Sequence, residues 1–326
     1  MEQSRRNLRS TLAVMACILF MPIASRLGNV AVRVLSHPRV AEFLIYVETG
    51  RPVRLDAPQT EPTKAPPSTA ATQPPKQPIL FAAQDAQRVQ LSNFTGYTPD
   101  LEGLLTSPLS WDLTSDGPAV LILHTHATES YSGTPGYRTE DAERNMLRVG
   151  REIARVLEEN GIGVIHDTTL HDKPSYNGSY SAARKTIAAR LAENPSIRLV
   201  LDVHRDALEL TDAVQLSTHA QVNGQDSAQL MLVMGTNAGG LQHPAWQDNL
   251  SVAVKLQTLL EGEHPGLFRR MQLRTERFNQ DLSPGGMLLE VGAAGDTLEE
   301  ALVAARTFAL GIVALAQGTA TASSTS

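Results

Sequence analysis

Two histidines and a glutamate lie within six residues, directly after a short apolar run. His124, His126 and Glu129 follow Ala119–Leu123, a run that is typical of a buried strand. A turn just past a strand can aim an imidazole nitrogen and a carboxylate oxygen at one point. Zinc in hydrolytic sites commonly takes two histidines and one carboxylate. The H-x-x-E pair is therefore a candidate half of a metal site. Alternatively, one histidine caps the strand and the other is satisfied in a core.

Polar residues also follow or interrupt two later apolar runs. His204 and Arg205 come directly after Leu199–Val203, and Glu290 stands within Met287–Val291. Active sites of open α/β sheets lie at the carboxyl ends of the strands, so we expect these residues to converge on the first motif. The fourth position of such a zinc ion is left for water. The predicted zinc ligands are His126, Glu129 and His204.

Glu290 is the predicted acid/base, because a metal-activated water must lose a proton that then reaches the leaving nitrogen. Desolvation in an apolar strand would raise the pKa of its carboxyl into a useful range. Arg205 is predicted to hold an oxyanion or a substrate carboxylate. The structural alternatives are a strand-end salt bridge for Glu290 and an ion pair with Asp206 for Arg205. His204 could instead be a core histidine bonded to Asp202 or Asp206.

Two further features leave alternatives open. If the first strand continues, His124 and His126 share a face, so His124 could be the ligand or could lie behind it. The loop 278–286 is polar and turn-rich, and it either lines a substrate groove or is an ordinary loop.

Composition and charge narrow the function classes. Lys and Arg number 28 against 34 Asp and Glu, a net charge of −6, so nothing indicates a nucleic-acid partner. With 42% hydrophobic residues, the chain has enough apolar material for a core. The single cysteine, Cys17, excludes a disulfide framework and a cysteine-ligated structural zinc site. A metal must therefore be held by histidines and carboxylates.

Residues 1–50 have the features of a targeting and membrane-anchor region. Three arginines precede the uncharged residues 10–25, and Arg26 closes the run. No clear cleavage site follows, so we predict an uncleaved, single-pass anchor in the cell membrane. The positive-inside rule then places the remaining chain outside the cytoplasm. Residues 51–78 are rich in proline and predict a disordered linker with a reach on the order of 80 Å.

From residue 119 onward, short apolar runs alternate with longer amphipathic stretches, which predicts an α/β sandwich. We predict a single catalytic domain over residues 79–318, followed by a disordered tail over 319–326. The predicted strands are 119–123, 162–166, 197–203, 230–234 and 287–291. The predicted helices are 143–160, 180–193, 249–261 and 297–316.

Several motifs, in matching order, resemble the stage II sporulation protein P family. The resemblance covers roughly residues 90–317, and the N-terminal anchor and variable linker also fit. The motifs are His124-Thr-His-Ala-Thr-Glu-Ser-Tyr131, Val149-Gly150, Asp202-Val-His-Arg-Asp206, Met234-Gly-Thr-Asn237, Asn279-Gln-Asp-Leu-Ser-Pro284 and Leu289-Glu-Val-Gly292.

The resemblance implies a membrane-anchored, zinc-dependent N-acetylmuramoyl-L-alanine amidase that acts on peptidoglycan in septal thinning and engulfment during sporulation. It implies a phosphorylase/hydrolase-like fold of the zinc amidase and carboxypeptidase type, with a mixed sheet sandwiched by helices. Endopeptidase activity on stem-peptide cross-links, and partnership with stage II sporulation proteins D and M, are also implied.

The resemblance also bears on the site. His126, Glu129, His204 and Glu290 fall where related hydrolases place their ligands and their acid/base. Related amidases take the carboxylate ligand from near the start of the first helix, so Glu140 or Glu143 is an alternative to Glu129. Two other functions remain open, a zinc carboxypeptidase-type peptidase and a non-catalytic wall-binding scaffold.

Overall fold

The computed structural model describes residue 79 and residues 81–109, 112–114, 116–211 and 214–323. All of these lie within one unit, Gln73–Ser326. The predicted anchor, residues 1–50, and the predicted linker, residues 51–78, lie outside the described residues.

A seven-stranded sheet forms the centre of the described chain. The strands, including those of two small hairpins, are β1 Leu91–Asn93, β2 Pro118–Leu123, β3 Gly163–His166, β4 Leu199–Asp206, β5 Glu209–Thr211, β6 Val214–Gln215, β7 Ala220–Val222, β8 Gln225–Ser227, β9 Leu230–Gly235, β10 Met271–Arg274 and β11 Gly286–Ala293. The order in the main sheet is β1-β10-β9-β11-β4-β2-β3. Neighbours are parallel except β9 and β11, which are antiparallel. The sheet is therefore mixed, as the family resemblance implied, and most of its neighbouring strands are parallel.

Five α-helices accompany the sheet in the described residues: α1 Leu101–Thr106, α2 Met146–Glu159, α3 Ser179–Glu193, α4 Trp246–Glu263 and α5 Leu298–Ser323. Helix α2 begins where the Asn145 side chain accepts a hydrogen bond from the Leu147 amide, at 3.0 Å. That bond satisfies one of the free N–H groups of the first turn. Short 3₁₀ segments lie at Ala83–Arg88, Pro135–Tyr137, Tyr176–Gly178 and Gln280–Leu282.

The two faces of the sheet are covered differently. Helices α2, α4 and α5 pack with Leu201 and Val203 of β4 in the larger core. Val200 of β4 packs with residues of α3 in a smaller core. Because side chains alternate along a strand, Asp202 and His204 share the face of Val200. The predicted ligand His204 therefore lies on the face that carries α3, while Arg205, the next residue, points to the opposite face.

The five predicted strands are all present, with ends that differ by at most three residues. The edge strand β1 and its neighbour β10 were not predicted, because each is short and mixes polar with apolar residues. The small hairpins β5–β6 and β7–β8 were also missed. Helix α5 ends at Ser323, beyond the predicted end at residue 316 and within the tail that we predicted to be disordered.

Among the described residues, Leu298–Gly318 of α5 is long and apolar enough by composition to span a membrane. However, 67% of this window is buried inside the protein. Ala304, Phe308 and Ala309 are fully buried in the larger core. The apolar character of α5 is thus accounted for by its packing against α2 and α4.

Glu152 of α2 links helices α2 and α5 through its contacts with arginine side chains. Its carboxylate accepts hydrogen bonds from Arg155 of the same helix, at 2.6 Å, and from Arg306 of α5, at 3.0 Å. Although burial alone would raise it, these bonds and that from Arg148 lower the pKa of Glu152 to about 2. The folded state therefore binds its proton more weakly than the unfolded chain does.

Replacing Glu152 by glutamine is expected to destabilise the protein at neutral pH by about 1–2 kcal/mol, discounted because the arginines are half exposed. A depressed carboxyl pKa stabilises the folded state above the ordinary value of 4.5, and this contribution is lost as the pH falls toward 2. Urea unfolding at pH 7 and pH 2.5 should show a deficit only at pH 7. Glu158→Gln, at an exposed position on the same helix, is the control. An equal deficit at both pH values would contradict the ionic explanation.

Candidate active site

Four predicted site residues converge on the face of the sheet that carries α3. The rings of His126 and His204 meet edge to face, with centroids 5.3 Å apart. Oε2 of Glu129 lies 3.5 Å from Nδ1 of His204. Glu290 of β11 is the register partner of His204 of β4. Residues from three distant parts of the chain therefore form one cluster.

Two carboxylates flank the His204 ring. Oδ1 of Asp202, which also accepts from the backbone N–H of Thr125, lies 2.9 Å from Nε2 of His204, but that nitrogen is buried without a hydrogen bond. The Nδ1 edge of His204 faces Glu129. Although burial alone would lower it, the carboxylates of Asp202 and Glu129 hold the pKa of His204 well above its usual value. A carboxylate behind a ligating histidine is a common arrangement in metal sites.

The His126 ring is neutral and has a buried nitrogen without a hydrogen bond, which are the properties of a metal ligand. Its Nδ1 is buried and has no hydrogen-bond partner, and burial lowers the pKa of the ring to about 4. The imidazole is therefore neutral at pH 7, which is the form that binds a metal. Buried polar atoms without partners are rare, so this nitrogen requires an explanation.

The donor set fits zinc by type, with two imidazoles and one carboxylate. The unpartnered Nδ1 of His126 and the Nδ1 of His204 beside Glu129 support this fit. In the part of the chain that the structure describes, no three His, Cys, Asp or Glu side chains already stand at metal-binding spacing. The predicted ligand set therefore stays a prediction that agrees with the donor chemistry.

Glu290 lies in the apolar strand β11 beside this cluster. Its Oε2 is buried and has no hydrogen-bond partner. Burial raises the pKa of its carboxyl to about 8. A carboxyl group with a pKa near neutrality can both accept and return a proton at physiological pH. The strand-end salt bridge that we considered for Glu290 is absent among the described residues.

His124 is engaged elsewhere. Its Nδ1 lies 2.8 Å from the carbonyl oxygen of Val203, and its Nε2 lies 2.9 Å from Nε2 of His166. Gly150 of α2 passes directly over this pair, because a Cβ on it would lie 2.5 Å from Nε2 of His124. Of the two histidines, only His126 is therefore free to bind a ligand, and His124 supports the strand end from behind.

The two alternative carboxylates lie away from the cluster. Glu140 forms an exposed ion pair with Lys173, at 2.7 Å, and Glu143 forms another with Arg151, at 2.7 Å. Glu129, in contrast, is buried beside His204. The geometry favours Glu129 as the carboxylate of the site.

Arg205 has a different role from the one predicted. Its side chain donates from Nε to the carbonyl of Ser130 and from a terminal nitrogen to that of Tyr137, both at 2.9 Å. Its backbone N–H donates to Oε2 of Glu129 at 3.3 Å. The side chain is buried and holds the segment that carries Glu129. This geometry favours a positioning residue over a contact with substrate. The predicted ion pair with Asp206 is also not formed, because Asp206 pairs with Arg269.

Arg205→Lys is expected to lower the free energy of unfolding by about 1–3 kcal/mol, because one ammonium cannot replace both hydrogen bonds to buried carbonyls. Thermal unfolding measures the loss. Arg198→Lys is a matched control, since exposed Arg198 also donates to backbone carbonyls. An unchanged melting temperature together with a raised KM for peptidoglycan would restore the substrate-binding role.

Three residues that sequence reasoning missed surround His126. Tyr176 stacks on its ring, with centroids 4.2 Å apart, and Tyr180 meets it at right angles at 5.6 Å. The Arg138 guanidinium lies over Tyr176 and 3.5 Å from Glu129. The one available sequence signal was a pair of tyrosines four residues apart at the predicted start of a helix. In the structure Tyr176 lies in a 3₁₀ segment and Tyr180 in the first turn of α3.

Together, fold and site define a mixed α/β protein that carries a buried cluster of histidine and glutamate on one face of its sheet. A sequence profile of the family described as stage II sporulation protein P (SpoIIP) matches residues 48–313. The chain belongs to this family.

A curated relative, "Stage II sporulation protein P" of Bacillus subtilis (strain 168), is 29% identical over 203 residues, which covers 57% of this chain. The match covers 48% of the relative, so the chain spans about half of that protein's length.

Solved structures similar to the chain include N-acetylmuramoyl-L-alanine amidases. The enzyme from Clostridium difficile 630 is 18% identical with a TM-score of 0.37, covering 65% of this chain and 99% of its own. The CwlD amidase from Clostridioides difficile, solved in complex with the GerS lipoprotein, is 12% identical with a TM-score of 0.37, covering 63% and 99%. Ami1 from Mycobacterium smegmatis is 11% identical with a TM-score of 0.39, covering 66% and 100%.

Proposed function

We propose that this chain is a peptidoglycan hydrolase that cleaves the amide between the lactyl group of N-acetylmuramic acid and L-alanine. The observation that carries the proposal is Glu290, a carboxyl with an unpartnered buried oxygen and a pKa of about 8, placed beside His204. A binding module has no use for such a group next to a cluster of metal-ligand type. Membership of the family supports the assignment to sporulation.

His126, Glu129 and His204 would hold a zinc ion. Zinc, when bound, lowers the pKa of a water molecule and polarises the carbonyl group under attack. The carboxylate of Asp202 lies against the His204 ring, and Arg205 holds the segment of Glu129. The chain itself thereby keeps the ligands in position before substrate arrives.

Glu290 performs the proton transfers. Its carboxylate takes a proton from the attacking water and returns it to the leaving nitrogen, so that the C–N bond breaks. The products are a lactyl carboxylate on the glycan and a free L-alanine amine on the stem peptide. The raised pKa suits both halves of this cycle, since the carboxyl gains and loses a proton near neutral pH.

The cellular setting is part of the proposal. An N-terminal anchor would hold the catalytic domain outside the cytoplasm at the membrane surface, where peptidoglycan lies. The reaction would serve septal thinning and engulfment, with stage II sporulation proteins D and M as partners. Hydrolysis of stem-peptide cross-links is a second activity to be tested on the same products.

Incubation of purified peptidoglycan with the full-length chain, with and without a zinc chelator, tests the proposed function. Stem peptides with free L-alanine amines, released only without chelator, are the expected products. Free C-terminal amino acids would indicate a carboxypeptidase, a reading weakened by the engagement of Arg205 with Ser130 and Tyr137. Binding to the wall without cleavage, unaffected by chelator, would instead indicate the scaffold.

A further inference from the structure

An apolar cleft of about 390 Å³ adjoins the candidate active site. Tyr180 borders both the cleft and the candidate active site, because its ring lies 5.6 Å from that of His126 and 6.1 Å from that of Phe278. The proposed mechanism makes no use of this cleft. Its lining residues are Tyr180, Gly239, Leu241, Thr275, Glu276, Arg277, Phe278 and Asn279.

Apolar side chains provide most of the exposed surface of the cleft. Of its charged residues, Arg277 lies 3.2 Å from Asp281, which Arg184 also binds, and Glu276 lies 3.4 Å from Arg274. Leu241 is a large apolar side chain that is 57% exposed. The cleft therefore offers mainly aromatic and aliphatic surface, which suits an uncharged ligand with apolar faces.

The loop that builds the cleft is held in an uncommon conformation. Phe278 and Asn279 both have left-handed backbones, with φ of 49° and 59°. Non-glycine residues adopt this region at an energetic cost, and such strain clusters at ligand sites. The fold keeps the conformation through fixed contacts: Asn279 donates to the carbonyl of Tyr180 at 2.9 Å, and Arg184 donates twice to Asp281 at 2.8 Å. The position of Phe278 beside Tyr180 is thus set in advance.

A second cleft, of about 490 Å³, meets the site at Tyr176 and has a more polar lining. This charged cleft is lined by Arg138, Lys173, Glu140 and Asp172, which form ion pairs with one another. Tyr176 stacks on His126, just as Tyr180 borders the same ring from the apolar cleft. A substrate whose scissile bond lies at His126 therefore meets an apolar cleft and a charged cleft.

We propose that the apolar cleft binds the N-acetylated sugar of the substrate, so that the peptide extends toward the charged cleft. This inference rests on the proposed function, because it assumes a substrate with a glycan arm and a peptide arm. A sugar is neutral, its C–H faces stack on aromatic rings, and its acetyl methyl is apolar. A stem peptide carries carboxylates, which would lose more hydration beside the apolar surfaces of Phe278 and Leu241 than in the polar cleft at Tyr176.

The test measures binding, not cleavage, on the full-length chain carrying Glu290→Gln to prevent turnover. The probes are the disaccharide of N-acetylglucosamine and N-acetylmuramic acid with its lactyl carboxyl capped as a methylamide, so that it is uncharged as in the substrate, and the free stem peptide. Phe278→Ala is expected to weaken disaccharide binding about tenfold, a loss that corresponds to about 1.4 kcal/mol. Affinity for the stem peptide should change less than about twofold.

Leu241→Ser serves as a second variant, because this exposed position is safe for folding, and it should weaken disaccharide binding in the same direction. Phe94→Ala, an aromatic that is 57% exposed and does not line the cleft, is the matched control. A selective loss of peptide affinity in Phe278→Ala would assign the cleft to the peptide arm and overturn the proposal. So would unchanged affinities, or no disaccharide binding before mutation. If disaccharide binding follows the cleft variants while the wild type cuts no peptidoglycan, the cleft assignment stands and the proposed amidase activity fails.

Discussion

Glu290→Gln should lower kcat for peptidoglycan cleavage by about 10²–10⁴-fold while the protein keeps its fold and its bound zinc. Glutamine has nearly the shape of glutamate but cannot carry a proton from the water to the leaving nitrogen. Release of L-alanine amines from purified peptidoglycan measures the rate, and elemental analysis measures the zinc. Glu299→Gln, at an exposed position in the first turn of α5, is the control and should behave as wild type.

The same variant has a second, independent readout in metal-free protein. Burial raises the pKa of Glu290 to about 8 from the ordinary value of 4.5. Between these values the folded state binds the proton more tightly than the unfolded chain, so folding stability falls as the pH rises from 4.5 through 8. Glutamine does not titrate. We therefore expect metal-free Glu290→Gln to be more stable than wild type at pH 9, by about 3–5 kcal/mol, and similar at pH 4.5. If the stabilities of wild type and variant change in parallel with pH, Glu290 is not desolvated. If the variant is fully active, Glu290 is not the acid/base.

His126→Gln is expected to lower zinc affinity by more than about 100-fold and to abolish cleavage at ordinary zinc concentrations. Loss of a residue that merely orients a ligand costs about 10–100-fold in affinity, so loss of a ligand costs more. The stability of the metal-free protein should change by less than about 1 kcal/mol, because Nδ1 of His126 has no hydrogen bond to lose. Zinc titration and urea unfolding in a chelator measure the two effects.

His204→Gln tests a predicted zinc ligand that, unlike His126, also stabilises the fold. Removing this ring leaves the buried carboxylates of Asp202 and Glu129 without their cation, so the metal-free variant should lose about 3 kcal/mol of stability. Exposed His219→Gln is the control for the His126 and His204 variants. If His126→Gln binds zinc as tightly as wild type, His126 is not a zinc ligand.

The strands of the sheet were predicted from short runs of apolar residues in the sequence. Runs such as Leu199–Val203 are nearly all apolar, as a strand buried on both faces should be. The alternation of such strands with helices along the chain predicted an α/β sandwich, and the family resemblance implied that its sheet is mixed. Because parallel strands share an edge, the same pattern also indicated that His126, His204 and Glu290 would meet.

The hydrogen-bond partners of individual side chains could not be predicted from the pattern of apolar residues. Arg205 follows a buried strand and could equally have faced substrate, and only the packed loop brings the carbonyls of Ser130 and Tyr137 to its guanidinium. His124 and His126 differ by two positions, yet the former is closed off by Val203 and His166. Such contacts join residues far apart in sequence, and no local period encodes them.

By itself, the sequence determined the fold class, the candidate metal-ligand types and the exclusion of cysteine ligands, because these depend on composition and on the period of apolar residues. Only the tertiary structure decided that Glu129, and not Glu140 or Glu143, lies beside His204, and that the left-handed Phe278 forms a cleft with Tyr180. The physical reason is that side-chain neighbours depend on strand register and loop closure. These are set by the packing of the whole chain.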